Sequence, residues 1–162
     1  MRLAEPLAVW RLAAARHADR AFDGEGARLY GGRWNHPGVP VVYTSATLSL
    51  AALELFVHLD AEDVPEDRIA ILAEVPRGLD VEELRAEDLP AAWRSYPALE
   101  ALKDLGTAWA RSRRTAVLQI PSAVIPAESN YLINPLHPQM SRITLGKPAP
   151  FTFDRRLTPR RR

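Results

Sequence analysis

The segment from Arg28 to His58 constrains this chain more tightly than any other stretch of it. It sets Arg28, Tyr30, Arg33, Tyr43, Glu54 and His58 around a glycine turn, a strand and a helix. Gly31-Gly32 and Pro37-Gly38 are turn chemistry, because glycine tolerates positive φ and proline presets a bend. Val39 to Tyr43 is β-branched and aromatic around Pro40, which predicts a short strand over 39–44. From Thr47 onward, Leu50, Leu53, Phe56 and Val57 recur at helical spacing, predicting a helix over 47–58 with Thr47 as N-cap. Glu54 falls inside that helix between Leu53 and Leu55. A carboxylate there needs either a cavity or an ion pair, since glutamate is almost never fully buried alone.

The remainder of the chain fits around one core. Its 162 residues, 47% of them hydrophobic, suffice for a single domain. The absence of cysteine removes disulfides, thiolate zinc sites and thiol nucleophiles from consideration. The amino-terminal stretch is interrupted by Glu5, Pro6, Arg11 and Arg16, and no apolar run is long enough to span a bilayer. The expectation is a soluble cytoplasmic protein without a membrane partner. A formal net charge of +1 hides an asymmetry: residues 155–162 hold five arginines and no acid, leaving 16 basic against 20 acidic groups in residues 1–154. A domain over 1–154 followed by a basic tail is the natural division. The tail is either a solvated end or a contact for nucleic acid or an acidic partner.

Periodicity predicts the other elements. Val9 to Leu12 reads as a strand, with a turn or short helix at Asp19-Arg20 and a loop from Phe22 through Trp34. Ile69 to Val75 is a strand and Val81 to Leu84 a short helical turn. Pro97 suits a first helical position, with the helix continuing from Ala98 to Ser112, although Gly106 weakens it. Ala116 to Ile120 is a strand that Ala123 to Ile125 would continue, and a final strand pair is expected at 141–145 and 149–154. Strands separated by few helices predict a single α+β domain with a curved, mostly antiparallel sheet. Trp10, Trp34, Trp93 and Trp109 are expected in the core.

Several chemistries lack their signatures. There is no GxGxxG after an opening strand and no GxxxxGK[ST] loop, so no resident dinucleotide cofactor is expected. Ser122 has no flanking nucleophile-elbow glycines. Glu54 and His58 are four apart on one helix face, yet His36 and His137 give no spacing that would complete a zinc site, so no metal is expected. Asn130 and Asn134 read either as ligand contacts or as turn residues with Asx bonding.

Taken in order, a set of short motifs resembles the RES domain family, named for an arginine, a glutamate and a serine. The motifs are Trp10-Arg11, Gly31-Gly32-Arg33-Trp34-Asn35, Tyr43-Thr44-Ser45, Ala51-Ala52-Leu53-Glu54, Pro121-Ser122-Ala123, Asn130 to Pro135 followed by His137-Pro138, and Phe151 to Leu157. Each is weak alone; their order along nearly the whole chain is specific. The resemblance implies the toxin of a bacterial toxin–antitoxin pair, consuming NAD as a substrate with a fold related to ADP-ribosyltransferases. It also implies a cognate Xre-like helix-turn-helix antitoxin that occludes the active site, leaving no DNA-binding role for the toxin itself.

Cleavage of the nicotinamide–ribose bond passes through an oxocarbenium-like centre, as other glycosyl cleavages do. It calls for guanidinium to hold the diphosphate, aromatic surface to grip the nicotinamide and a carboxylate to stabilise the ribosyl cation. On the resemblance, Glu54 is the catalytic carboxylate, Arg33 and Arg28 hold phosphate, and Tyr43 and Tyr30 frame the nicotinamide. Ser122 matches the family's serine and would donate its hydroxyl to phosphate or to Glu54, with Ser129 as the alternative match. His58 and Asn134 complete the expected NAD contacts. Against each stands a plainer role: ion pairs for the arginines, core packing for Tyr43, a helix-end dipole contact for His58. The acceptor is open among water, phosphate and a protein, which separates NAD depletion from ADP-ribosylation of a target. Readings of other classes are a nucleic-acid-binding module using the arginine-rich tail, and an RNA-cleaving toxin using Arg33, Glu54 and His58.

Overall fold

The computed structural model describes residues 1–59 and 64–157. Among them the strands are, in chain order, β1 (Leu7–Ala14), β2 (Val42–Ser45), β3 (Arg68–Val75), β4 (Val81–Glu83), β5 (Val117–Pro121), β6 (Ser129–Ile133), β7 (Thr144–Leu145) and β8 (Ala149–Phe151). They form one curled sheet in the order β4-β5-β6-β2-β1-β3-β7, with β8 also on β3. Only β4 and β5 run parallel; every other pairing is antiparallel. The α+β domain with a mostly antiparallel curved sheet is therefore the observed architecture. No helix among the described residues is long and apolar enough to cross a membrane.

β1 pairs with β3 along its whole length, from Leu7↔Val75 to Ala14↔Arg68, so it runs two residues beyond the expected 9–12 at each end. Strands β5 and β6 send apolar side chains to both faces of the sheet, with Gln119, Ser129 and Asn130 only half-buried. Val117 and Ile133 face one core with Val9, Phe22, Val42 and Ile71, while Leu118 and Leu132 face a second with Trp34, Trp93, Leu102 and Trp109. Trp34, Trp93 and Trp109 are core residues as expected, whereas Trp10 is half-buried and borders the cleft described below.

Three helices flank the sheet: α1 (Glu25–Tyr30), α2 (Leu48–Phe56) and α3 (Glu100–Ser112). Thr47 caps α2, its hydroxyl accepting from the Leu50 amide at 3.1 Å, and α2 packs on β1 and β2. Gly106 in α3 marks a close approach: a Cβ there would lie 1.9 Å from the Trp34 carbonyl oxygen.

Several expectations are corrected. The loop expected from Phe22 to Trp34 contains α1, entered through Gly24 at φ 72° with Asp23 Oδ1 accepting from the Glu25 amide at 2.8 Å. Residues 81–83 form β4 rather than a helical turn, because a neighbouring strand, β5, supplies the pairing. Helix α3 starts at Glu100, not beside Pro97. Residues 123–125 do not extend β5: the chain turns at Ser122, whose Oγ accepts from the amides of Val124 and Ile125 at 3.1 and 2.9 Å. β6 had no local strand signal, since Asn130 and Asn134 suggested turns. The final strands do not pair with each other; β7 and β8 share the outer edge of β3. In the basic tail, Arg155–Leu157 form a short 3-10 turn, and residues 158–162 lie outside the described residues.

Candidate active site

A cleft of about 650 Å³ opens between the loop after α1, the middle of β1, α2 and the segment around Tyr96. That volume is in the range of small-molecule sites. Helix α2 carries Glu54 into it. The Glu54 Oε1 accepts two hydrogen bonds, from Ser122 Oγ at 2.6 Å and from Asn130 Nδ2 at 2.5 Å. Among the described residues no hydrogen bond reaches Oε2. The carboxylate is thus anchored through one oxygen, and the other is left for a ligand. Ser122 is fully buried, held in turn by the two amides it accepts from. Ser129 instead accepts from Gln119 Nε2 at 3.1 Å, so Ser122 is the serine that touches Glu54.

Arginine reaches the same cleft from two elements. Arg33 Nη1 donates to the carbonyls of Trp93 at 2.9 Å and Ser95 at 3.0 Å, leaving Nε and Nη2 as donors. Burial lowers its pKa, opposed by the nearby Glu54 carboxylate. Arg11, on β1, stands in the Trp10-Arg11 motif but carries no local sequence signal of a site role. Its Nη1 donates to the Tyr43 carbonyl at 3.0 Å, and its Nε is buried without a hydrogen-bond partner among the described residues. Burial depresses its pKa, with Asp23 pulling the other way. A buried guanidinium donor left unpaired is costly and expects an anion.

The loop between α1 and β2 is a rigid cradle. Tyr43 Oη donates to Asn35 Oδ1 at 2.6 Å and accepts from the Trp34 amide at 3.1 Å, so its hydroxyl is committed to the loop while its ring lines the cleft. Burial pushes the Tyr43 phenol well above its ordinary pKa. Asn35, fully buried, donates to the carbonyls of Ala27, His36 and Val39. Gly32 has no room for a side chain: a Cβ would stand 2.5 Å from Tyr43 Oη.

The other expected residues divide. Tyr30, the last residue of α1, and His58, just past α2, are exposed and border the cleft. The His58 ring lies 6.1 Å from that of Tyr96. Arg28 and Asn134 are not brought to the cleft. Arg28 forms an exposed bidentate pair with Glu25 at 2.7 and 2.6 Å. Asn134 is buried, donating to the Ala110 carbonyl at 2.8 Å and accepting from the Leu136 amide at 3.0 Å, which is turn bonding. Among the described residues no group of three or more histidine, cysteine, aspartate or glutamate side chains is arranged to hold a metal ion.

The chain is thus a small α+β domain whose curled sheet bounds a cleft with one anchored carboxylate and two partly desolvated arginines. The sequence model of the RES domain matches residues 8–154, and the chain belongs to that family. A Sphingobium protein named Prs ADP-ribosylating toxin is 38% identical over 152 residues, covering 91% of this chain and 94% of that one. A Yersinia enterocolitica protein named Toxin Res is 34% identical over 150 residues, covering 92% and 98%. Among solved structures, the M. tuberculosis MbcT–MbcA toxin–antitoxin complex contains a chain that superposes with a TM-score of 0.73 at 17% identity, covering 93% of this chain and 87% of that one. That likeness is one of fold.

Proposed function

We propose that this chain is the toxin of a toxin–antitoxin pair and that it cleaves NAD at the nicotinamide–ribose bond. The observation that carries the reading is Glu54, anchored through Oε1 and, among the described residues, unbonded at Oε2, in a cleft lined also by Arg11 and Arg33. Arg11 and Arg33 would take the diphosphate, and the Tyr43 ring, with Tyr30 at the rim, would flank the nicotinamide. As the C–N bond breaks, the bonding pair leaves with nicotinamide, which becomes neutral, and positive charge builds on the ribosyl carbon. The fixed Glu54 carboxylate stabilises that charge without having to reorganise. An acceptor oxygen then bonds to the carbon and releases its proton. NAD is consumed as substrate, with no resident cofactor.

With water or phosphate as acceptor the result is NAD depletion. A second reading, transfer of ADP-ribose to a protein, is favoured by the name of the Sphingobium relative, Prs ADP-ribosylating toxin. An antitoxin of Xre-like type that closes the cleft fits both; support for an antitoxin partner comes from the fold's likeness to a chain of the MbcT–MbcA toxin–antitoxin complex. The test is incubation of purified protein with NAD, with and without phosphate, resolving products by mass. Nicotinamide with ADP-ribose or its phosphate ester, absent in Glu54→Gln, supports the reading and names the acceptor. NAD left intact in buffer and in a cell lysate rejects it.

A further inference from the structure

Ser45 is the last residue of β2, opposite Asn130 in the β2–β6 register and opposite Trp10 in the β1–β2 pairing. It is buried and borders the cleft. Its Oγ donates to Asn130 Oδ1 at 2.7 Å, and Asn130 Nδ2 donates to Glu54 Oε1 at 2.5 Å. The three side chains come from β2, β6 and α2 and form one chain of donors ending on the carboxylate.

A primary amide is a reversible part, because a half-turn exchanges donor and acceptor with almost no change of shape. In one orientation Asn130 offers N–H to Glu54; in the other it offers a carbonyl oxygen to a carboxylate oxygen, which repels. The productive orientation puts Oδ1 on the far side, in buried surroundings where an acceptor without a donor is costly. The donor that meets it is the Ser45 hydroxyl. Strand packing alone does not call for that hydroxyl, because alanine or valine would fill a buried strand end as well.

We propose that Ser45 is a positioning residue of the Glu54 site: its hydroxyl locks the Asn130 amide with N–H toward the carboxylate, and so sets which oxygen of Glu54 faces the ligand. The proposal rests on the reading of Glu54 as the group that stabilises the ribosyl cation. It predicts an action through Asn130 and no direct contact with substrate.

The test uses the full chain carrying Ser45→Ala, Ser45→Thr, Asn130→Ala and the Ser45→Ala/Asn130→Ala double substitution. Ser45→Ala should lower kcat for NAD cleavage about tenfold, the effect of one lost buried hydrogen bond, with KM within about twofold. Ser45→Thr, which keeps the hydroxyl, should recover most of it. In the Asn130→Ala background Ser45→Ala should change nothing further. The Asn130 side-chain amide signals in a nitrogen–proton correlation spectrum should shift in Ser45→Ala, a readout that needs no turnover. If Ser45→Ala does not fold, Ser45→Cys, close in size and only a weak donor, takes its place. Wild-type kcat in Ser45→Ala, an effect that persists in the Asn130→Ala background, or unmoved Asn130 amide signals would each overturn the proposal. A wild-type protein that consumes no NAD would reject the reading of the cleft, and the amide spectrum would still decide the role of Ser45.

Discussion

Gly106→Ala sets two effects of known size against each other. In the interior of α3 the substitution gains helix propensity, worth about 1 kcal/mol. Against it stands the approach of Trp34, whose carbonyl oxygen would lie 1.9 Å from the new Cβ, with its carbonyl carbon at 2.9 Å. Both are backbone atoms, so no rotamer change relieves the overlap; either α3 or the loop from Gly31 to Gly38 must move by roughly 1 Å. Overpacking of this kind costs about 1–3 kcal/mol, and more where backbone is displaced. Because the clash is between backbone atoms the upper end of that range applies, and the overlap wins by about 2 kcal/mol, or roughly 4–8 °C in Tm for a chain of this length. Gly26→Ala is the internal contrast: it is also helical, yet nothing lies within 4 Å of a Cβ there, so it should gain about 0.4–1 kcal/mol. Thermal unfolding of both variants beside wild type decides it. A Gly106→Ala protein as stable as wild type, or more so, would refute the argument that this glycine exists to admit the Trp34 backbone. The same loop carries Arg33, and a misplacement of about 1 Å can cost on the order of 100-fold in rate. Gly106→Ala should lose activity as well as stability.

Arg11→Met should raise Tm while weakening binding of ADP-ribose by about 10- to 100-fold in calorimetry, because it removes an unpaired buried donor together with a diphosphate contact; unchanged affinity would remove Arg11 from the site. Tyr43 keeps its proton in the folded chain beyond the pH at which an unfolded tyrosine ionises, near 10. Its contribution to stability is thus complete below that pH and is lost as pH rises above it, at about 1.4 kcal/mol per pH unit. Denaturant midpoints between pH 9 and 11.5 should fall less steeply for Tyr43→Phe than for wild type, and parallel slopes would contradict the burial of that phenol. Thr47→Ala should cost about 1 kcal/mol through loss of the α2 cap, measured by urea unfolding at unchanged m-value.

The parts of the site that depend on local order were legible. Thr47, the apolar spacing after it and the position of Glu54 on the helix follow from a period of 3.6 residues, and α2 forms where that period places it. The expectation that Ser122 would donate to phosphate or to Glu54 came from hydroxyl chemistry and the family motif, and the bond to Glu54 is present. What could not be read locally was strand pairing. Arg11 reads as one charge in an apolar strand, and only the place of β1 between β2 and β3 puts that residue in the wall of the cleft. Asn130 and Asn134 have the same turn-like composition; only the β2–β6 register separates the one that reaches Glu54 from the one that closes a turn. The unpaired Nε of Arg11 was likewise invisible, because the absence of a partner is a property of the whole packed chain. Arg28 shows the converse: a phosphate role was weighed against an ion pair, and Glu25, three residues away, satisfies it locally.

The carboxylate and the amide that holds it are 76 residues apart in the chain. At ordinary rates of protein synthesis that separation corresponds to about 4–15 s between the appearance of Glu54 and that of Asn130. Ser122 comes late as well, 68 residues after Glu54. A growing chain therefore carries Glu54 for seconds before the groups that hold it exist, and β6 is not available to join the sheet until then. The cleft's carboxylate gains its fixed orientation only when the sixth strand finds its place.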